Sequence, residues 1–347
     1  MRLSGISAVT SQSLNNMKLR YFLLTVAFFC LLSCGQEKVP VNNENITVKP
    51  VIPVIPQGPE PGDAEGGPGT RGWTTEVVSQ GLLLHKFDGN DIVTGKRQSV
   101  RVLDIDMNLG RYRVEFTLPS ASGKTGTDMA REKGAVASVN ASYETGSVYI
   151  KISGKEIYNI ANDKIGNTDV ANWKNDGAIF MTEGGKVYLE YSGRGKTLIQ
   201  QRSYYRRHNC ANIFSSAPML IDDYEQVGET YVPANLTEAQ IKSYNYEHPY
   251  NHQGVTHPRT VFATTENNHL LLIAIDKDRQ NGTVAGMSAR DATKFLKYHF
   301  NPQYALNMDG GGSTAISVKG RLVNTPSEST GERAVASYLL IHDNVKK

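Results

Sequence analysis

Apolar and polar residues alternate along much of the chain between residues 73 and 342, as expected for strands with one buried face. The clearest alternation is at residues 81–87, 99–106 and 111–116. Shorter apolar runs predict further strands at residues 135–140, 177–182, 186–191, 218–222, 260–265, 270–276, 304–308, 315–318 and 337–341.

Helical patterns are few and short. Residues 127–133 predict a helix that Gly134 ends. The sequence at residues 288–291, Ser-Ala-Arg-Asp, resembles a capping box and predicts a helix whose apolar face is Ala292, Phe295, Leu296 and His299. Many strands with two or three inserted helices indicate the α+β class. We predict a strand-rich single domain with a mixed or antiparallel sheet core and a few packed helices.

The first 33 residues have the pattern of a lipoprotein signal peptide. Lys18 and Arg20 precede an apolar run at residues 21–32, which is too short to span a membrane. The following Ser33-Cys34-Gly35 resembles a bacterial lipobox, in which Cys34 would carry the lipid. A plain secretory signal or a transmembrane anchor is the alternative. The pattern predicts a lipid-anchored envelope protein, sorted to the outer membrane and facing the periplasm or the cell surface.

Residues 34–72 predict an extended tether between this lipid and a folded domain at residues 73–347. Residues 36–72 contain half of the 14 prolines and no aromatic residue. A segment of this composition buries too little apolar surface to order itself.

Removal of the signal peptide would change the charge balance. The full chain has 37 basic and 34 acidic residues, and residues 1–33 hold Arg2, Lys18 and Arg20 but no acid. The 37 basic residues less these three leave 34, so the mature chain would be neutral. Neutrality removes the basic excess that nucleic-acid binders show, so no nucleic-acid partner is expected.

Cysteine usage predicts a domain without disulfides. Cys30 lies in the signal peptide and Cys34 would be lipidated, which leaves Cys210. A buried small hydrophobic residue is the favoured interpretation of Cys210, ahead of a catalytic thiol.

The segment 305–314 carries the strongest chemical pattern. An apolar strand ends in Asp309, three glycines follow at residues 310–312, and Ser313 and Thr314 add hydroxyls. Consecutive glycines allow a ligand to approach the backbone, and successive N–H groups can form a nest for an anion. The segment lacks the Lys and following helix of a phosphate-binding P-loop. A functional loop is favoured over a plain glycine turn.

Four blocks along the chain have the composition of functional motifs. The C-terminal block joins Asn-Met-Asp-Gly-Gly-Gly-Ser-Thr at residues 307–314 to residues 320–327 and 331–337. The others are Ala-Ser-Val-Asn-Ala-Ser-Tyr at 137–143, Phe-Ser-Ser-Ala-Pro-Met-Leu at 214–220 and His-Pro-Arg-Thr at 257–260. In sequence and in order these blocks resemble those of the phosphodiester glycosidase family, and the resemblance extends from about residue 95 to 342.

The chain departs from the family pattern at three sites. Ala141 and Ser142 replace two glycines after Asn140, Ala217 replaces the glycine before Pro218, and residues 261–263 replace smaller residues. If the turn after Asn140 needs positive φ, it must be built differently here. These changes leave the charged residues in place but bear on substrate identity.

The resemblance implies a hydrolase that removes a sugar from a glycosyl-1-phosphate diester and exposes a phosphomonoester. Asp309 would act as nucleophile or as base for water, Arg259 would hold phosphate in a bidentate fork, and Glu332 would be a second acid. Weaker candidates for that acid are Glu144 and Glu266. Substrate contacts are expected from Asn140, His257, Thr260, Gly310, Gly311, Gly312, Ser313, Thr314 and Arg333. The expected partner is a phosphorylated glycan.

Structural explanations compete with these roles. Arg259 and Asp309 could form an ion pair, and Arg333 could pair with Glu332 or Glu328 at the surface. A metal site among His248, His252 and His257 is disfavoured, so no cofactor is expected, although a divalent ion stays open. The basic and aromatic segment 202–208 could border a pocket for an anionic glycan, with a solvated face as the favoured alternative.

Two other functions compete with the glycosidase. One is a metal-dependent phosphodiesterase, which would cleave P–O and lose activity with a chelator. The other is a lipoprotein that binds anionic glycans without turnover, an alternative that the change at residues 141 and 142 keeps open.

Overall fold

The computed structural model describes residues 72–118, 123–144, 146–160 and 172–345. The predicted signal peptide and all but the last residue of the predicted tether lie outside the described residues. No helix within the described ranges is long and apolar enough to cross a membrane.

Strands dominate the described part of the chain. They are β1 (Trp73–Ser79), β2 (Leu82–Asp91), β3 (Lys96–Asp106), β4 (Tyr112–Thr117), β5 (Ala137–Asn140), β6 (Ile150–Ile152), β7 (Lys155–Tyr158), β8 (Gly177–Met181), β9 (Val187–Tyr191), β10 (Asn212–Ser216), β11 (Met219–Ile221), β12 (Arg259–Thr264), β13 (His269–Ile275), β14 (Tyr304–Asn307), β15 (Ile316–Val318), β16 (Arg321–Leu322) and β17 (Tyr338–Asp343). The helices are α1 (Gly126–Lys133), α2 (Leu198–Arg207), α3 (Glu238–Ser243), α4 (Pro249–Gly254) and α5 (Ala289–His299).

The strands form three sheets, and every described strand pair is antiparallel. The largest sheet has the order β1-β2-β3-β13-β12-β14-β11. The other two have the orders β7-β6-β10-β8-β9 and β16-β15-β5-β17-β4. The α+β prediction is confirmed, with an antiparallel core.

The middle of the seven-stranded sheet is buried on both faces. Leu270 and Leu272 of β13 belong to a core cluster that contains residues of all three sheets. The alternate residues Leu271 and Ile273 pack with Phe295 of α5 in a second cluster. This alternation is the two-residue period of a strand, so one strand serves two apolar layers. The other sheets are each packed by a helix, α1 or α2.

The predicted helices are present with their caps. Ser288 and Asp291 form the capping box that starts α5. The first helix begins at Gly126, one residue earlier than predicted, because the hydroxyl of Thr125 caps it. Gly134 ends that helix in the left-handed conformation, with φ 64°.

Several elements were missed, although α2 and α3 each begin with a capping box, Thr197 with Gln200 and Thr237 with Gln240. The strands β1, β6, β7, β10 and β16 and the helices α2, α3 and α4 were not predicted. Strand β1 has a mostly exposed run, so it shows little alternation. Helix α3 has six residues and buries none of them, so it carries no apolar stripe. Cys210 is free and buried, as predicted.

Candidate active site

The acidic residue Asp309 lies where strands of two sheets end together. Strand β14 leads into the residue, and β5 ends at Asn140. The backbone N–H of Asp309 donates to the carbonyl of Ala141 at 3.0 Å. The side-chain amide of Asn140 donates to the carbonyl of Asp309 at 2.6 Å. These two bonds fix the backbone from which the carboxyl projects.

The glycines after Asp309 are required by close contacts. A Cβ on Gly310 would lie 2.7 Å from the carbonyl oxygen of Pro258, and Gly311 has φ +62°. The N–H of Gly311 donates to the same carbonyl at 2.9 Å. A Cβ on Gly312 would collide with the carboxylate of Glu328. Only glycine fits this backbone path without displacing its neighbours.

The expected anion nest is only partly available. Residues 311–313 form one turn of 3-10 helix. The N–H groups of Gly311, Ser313 and Thr314 donate to backbone carbonyls of Pro258, Gly310 and Gly311, respectively. The hydroxyl of Ser313 accepts from the guanidinium of Arg333 at 2.7 Å. The loop therefore presents an Arg-bound hydroxyl, with three of its N–H groups already bonded.

Three of the predicted substrate-binding residues lie behind the loop, in the core. The exposed fractions of Asn140, Thr260 and Thr314 are 1%, 0% and 0%. The hydroxyl of Thr260 donates to the Asn140 side-chain carbonyl at 2.7 Å, and that oxygen also accepts from the N–H of Ala315. None of the three lines the cavity described next. Their contacts make them positioning residues for the Asp309 loop.

A cavity of about 460 Å³ opens over this loop. Its charged lining comprises four cations and four carboxylates, in addition to two histidines. The charged residues are Lys174, Arg259, Arg279, Arg333, Glu144, Glu247, Asp309 and Glu328, and the histidines are His252 and His257. The cavity thus brings together eight of the predicted site residues, namely Asp309, Arg259, His257, Gly310, Gly311, Gly312, Ser313 and Arg333.

The surroundings of Asp309 make its carboxyl a weaker acid than a free aspartate side chain. Burial raises its pKa from 3.8 to about 6, with a further contribution from the charge of Glu144. The hydroxyl of Ser313 and the charges of Arg333 and Lys174 act in the opposite direction on that pKa. A carboxyl with such a pKa is suited to proton transfer.

The guanidinium of Arg259 is not free to make the expected bidentate contact with phosphate, because its donors are bonded within the protein. Its side chain is 2% exposed, and Nε donates to the carbonyl of Met287 at 2.8 Å. One terminal nitrogen donates to the side-chain carbonyl of Gln253 at 2.5 Å, and the other lies within 3.5 Å of three backbone carbonyls. Burial lowers its pKa to about 10, so it stays charged at neutral pH. The structural alternative, an ion pair between Arg259 and Asp309, is absent from the described contacts.

Glu332 lies outside the cavity. Its carboxylate accepts from the backbone N–H of Thr127 at 3.1 Å, at the start of α1. A carboxylate there is favoured by the exposed N–H groups of the first helical turn. The weaker candidate Glu266 accepts from the hydroxyl of Tyr224 and also lies elsewhere. The carboxylates near Asp309 come from other segments.

A charged triad that the sequence did not predict forms one wall. Lys174 is 2% exposed, and Nζ donates to Glu144 at 2.6 Å and to Glu247 at 3.0 Å. Burial opposes the charge of Lys174, yet the two carboxylates raise its pKa. Burial likewise works against ionised Glu144, but Lys174 lowers that pKa. Glu144 therefore stays ionised beside the less acidic Asp309.

The histidines near the cavity are neutral. Burial lowers the pKa of His257 to about 3, with the charge of Arg259 adding to this effect. Burial also lowers the pKa of His252, whose ring lies 6.0 Å from that of His257. His248 caps α4 instead. Within the described ranges, no group of three or more His, Cys, Asp or Glu is arranged to hold a metal ion.

Two arginines border the entrance. Arg333 lies 3.5 Å from Glu328 as well as donating to Ser313. Arg279 extends from the loop between Lys277 and Ala285, and one of its terminal nitrogens lies 3.2 Å from the position of a Cβ on Gly311. No described carboxylate is within ion-pair distance of Arg279. Its charge is therefore available to an anionic ligand.

The departure after Asn140 has a structural solution. Neither Ala141 nor Ser142 is among the described residues with positive φ. The N–H of Ser142 donates to the hydroxyl oxygen of Ser337 at 2.9 Å, and the hydroxyl of Ser142 donates to the carbonyl of Ser215. The side chain of Ser142 thus joins the turn to two other segments, in a conformation that needs no glycine.

Comparison with known proteins agrees with this fold. A family model described as phosphodiester glycosidase matches residues 133–342. The catalytic domain of zebrafish N-acetylglucosamine-1-phosphodiester alpha-N-acetylglucosaminidase, auto-inhibited by its pro-peptide, is similar in structure. The identity is 16%, the TM-score is 0.52, and the match covers 81% of this chain and 87% of that one.

A second similar structure is a hypothetical protein from Synechocystis, with 14% identity, a TM-score of 0.49, and coverage of 78% and 63% of the two chains. No curated protein matches the chain by sequence. The family match spans more than half of the chain, and its blocks build the Asp309 loop. The chain belongs to the phosphodiester glycosidase family.

Proposed function

We propose that this protein hydrolyses the bond between the anomeric carbon and the phosphate oxygen of a glycosyl-1-phosphate diester. The products are the free sugar and a phosphomonoester. Family membership supports a glycosidase-type hydrolase. The observation that carries the finer proposal is Asp309, whose pKa is raised to about 6 in a cavity bordered by arginines.

The phosphate is proposed to bind over the glycine loop. Arg279 has no ion-pair partner among the described residues, and Arg333 reaches the same loop through Ser313. An arginine with a free fork binds two phosphate oxygens and adds geometric specificity. Arg259 would contribute its buried charge to the cavity wall rather than a bidentate grip, because most of its donors are already bonded.

Asp309 is proposed to act as the base. A water molecule attacks the anomeric carbon, and Asp309 takes its proton. The bond between that carbon and the phosphate oxygen breaks, and both electrons leave with the phosphomonoester. A phosphate is a good leaving group and needs little protonation, so one carboxylate can suffice. A base with a pKa near the working pH combines adequate basicity with sufficient ionised form.

The carboxylates of Glu144 and Glu247 are proposed to receive sugar hydroxyls. Both line the cavity, and both are fixed by the buried Lys174. Ionised carboxylates are strong hydrogen-bond acceptors, and a hydroxyl bonded to one is well oriented. Glu144 therefore replaces Glu332 as the second acidic residue of the proposal.

The test is turnover by the purified full chain. A methyl mannoside carrying N-acetylglucosamine-1-phosphate is the first substrate, with Asp309→Asn as the variant and parallel reactions with and without EDTA. Release of free sugar by the parent alone, unaffected by EDTA, supports the proposal. Loss of activity with EDTA would favour the metal-dependent phosphodiesterase. Sugar release by the variant at the parent rate would contradict the role of Asp309.

The envelope location is part of the proposal and rests on the sequence of residues 1–34. Cells that produce the protein should incorporate labelled palmitate into it. The variant Cys34→Ala should not be labelled and should leave the membrane fraction. Unchanged membrane association of Cys34→Ala would contradict a lipid anchor at this residue.

A further inference from the structure

A second cavity, of about 910 Å³, is lined in part by Trp173, the neighbour of Lys174 in the lining of the first cavity. Its size is within the range of ligand pockets, roughly 300–1,000 Å³. The lining combines aromatic rings, cations and one acid, namely Trp173, Tyr231, Tyr250, Arg194, Lys196, Arg202 and Asp176. Nothing in the proposed reaction uses this cavity.

The single acid of this cavity, Asp176, is buried, and one of its carboxylate oxygens has no hydrogen-bond partner among the described residues. Asp176 is 2% exposed, and Oδ1 accepts from the N–H of Met219 at 3.1 Å. Oδ2 has no hydrogen-bond partner within the described residues, and its nearest cation is Nε of Arg194 at 3.7 Å. Burial raises the pKa of Asp176 to about 7, against the charge of Arg194. Buried polar atoms are normally bonded, so an unused one indicates a missing partner.

Among the described residues, Arg194 has Asp176 within ion-pair distance, whereas Lys196 and Arg202 have no carboxylate within that distance. The guanidinium of Arg194 lies 4.5 Å from the ring centroid of Tyr231, and the ammonium of Lys196 lies 5.1 Å from that of Tyr204. Nε of Arg202 is buried without a hydrogen-bond partner within the described ranges. Three cations against one acid give this cavity a positive field.

The aromatic side chains give the cavity faces on which sugar rings can lie. Tyr and Trp combine a large apolar face with a polar tip and are common in such surfaces. The ring of Trp173 lies 5.6 Å from that of Tyr143 and 5.0 Å from that of His252, and both of these residues line the first cavity. The next residue, Lys174, also lines the first cavity. Consecutive residues of one segment thus contribute to the two cavities.

We infer that the second cavity binds an acidic oligosaccharide, whose charged groups meet Arg194, Lys196 and Arg202 and whose hydroxyl donates to Oδ2 of Asp176. For the segment 202–208 a solvated face was favoured over a glycan contact, and within this inference the glycan contact is limited to Arg202, because Arg206 pairs with Glu156 and Tyr205 is buried. That this glycan continues the substrate of the catalytic cavity rests on the proposed function. The binding itself does not.

Binding is tested on the full chain with Asp309→Asn, which separates it from turnover. The probes are trigalacturonate, a sulfated chondroitin disaccharide and mannotriose with a terminal 6-phosphate. The control for each probe is its uncharged parent sugar or its ester. Affinities are measured by calorimetric titration. We expect saturable binding of at least one acidic probe, at least tenfold tighter than its uncharged counterpart. The probe that binds identifies carboxylate, sulfate or phosphate as the recognised acid.

Variants then locate the site. Arg194→Gln combined with Lys196→Gln should weaken the acidic probe at least tenfold. The matched control Lys155→Gln, an exposed lysine of β7, should leave the affinity unchanged. Arg333→Gln should also leave it unchanged, which separates this cavity from the catalytic one. Melting temperatures verify that all variants fold. Absence of binding by every acidic probe, or equal loss in the Lys155 control, would overturn the inference.

Discussion

Replacement of Asp309 by Asn should stabilise the folded protein while it removes the proposed base. Burial raises the pKa of Asp309 from 3.8 to about 6, so the folded state holds its proton more tightly than the unfolded chain does. At low pH the carboxyl is protonated in both the folded and the unfolded state, so it does not change the free energy of unfolding. The native state loses stability as pH rises between these two values, because ionisation is easier in the unfolded chain.

The magnitude follows from the two pKa values. At pH 7.5 the ionised Asp309 costs about 3 kcal/mol of folding free energy, and at pH 4.5 about 1 kcal/mol. Asn cannot ionise, and its carbonyl can still accept from the hydroxyl of Ser313. The variant should therefore exceed the parent in stability by about 3 kcal/mol at pH 7.5 and by about 2 kcal/mol less at pH 4.5.

Denaturant unfolding of parent and variant at both pH values measures this difference. The comparison cancels every other titrating group that the substitution leaves unchanged. Mass spectrometry verifies that the amide at position 309 is intact. An equal stability difference at the two pH values, or a less stable variant at pH 7.5, would refute the assignment of a raised pKa to Asp309.

Three further predictions concern the same cavity. The value of kcat/KM should fall below about pH 6 as Asp309 becomes protonated. The variant Glu144→Gln should shift this fall to lower pH, because it removes a negative charge that raises the pKa of Asp309. An unchanged pH profile would contradict the electrostatic coupling of Glu144 to Asp309. Arg333→Gln should lower kcat/KM for a phosphodiester about 10- to 100-fold, as expected for a lost charged hydrogen bond, whereas unchanged kinetics would exclude a phosphate contact. Gly310→Ala should cost about 1–3 kcal/mol of stability, because the new Cβ would collide with the carbonyl of Pro258. The control Gly184→Ala should cost less, because its Cβ would meet only an atom at 3.8 Å. Equal losses of stability would argue against the close contact at Gly310.

Sequence patterns predicted the parts of the fold with strong local signals. Strand β13 is a nearly continuous apolar run because both of its faces meet packed layers, and α5 has a capping box and a broad apolar face. The antiparallel pairing of distant strands, such as β5 with β17, depends on contacts that no local pattern encodes. Helix α3 was missed because it buries no residue, although Thr237 and Gln240 form a capping box at its start.

The part of the candidate site that the sequence predicted is a single continuous segment in which several functional groups follow one another. The loop at residues 309–313 was found because an acid, three glycines and a hydroxyl are consecutive. Lys174 and Glu247 were missed because each is an isolated charged residue, and their significance appears only when folding places them against Glu144. Glu332 was expected in the site because it is close in sequence to Arg333, yet its side chain turns to α1.

The position of bond cleavage tests the central claim most directly. Hydrolysis of the methyl mannoside substrate in water enriched in oxygen-18, followed by mass spectrometry of both products, shows which atom water attacked. The proposed reaction places the heavy oxygen on the released sugar and none on the phosphomonoester. Heavy oxygen on the phosphate would show cleavage of the P–O bond and would contradict the glycosidase mechanism centred on Asp309.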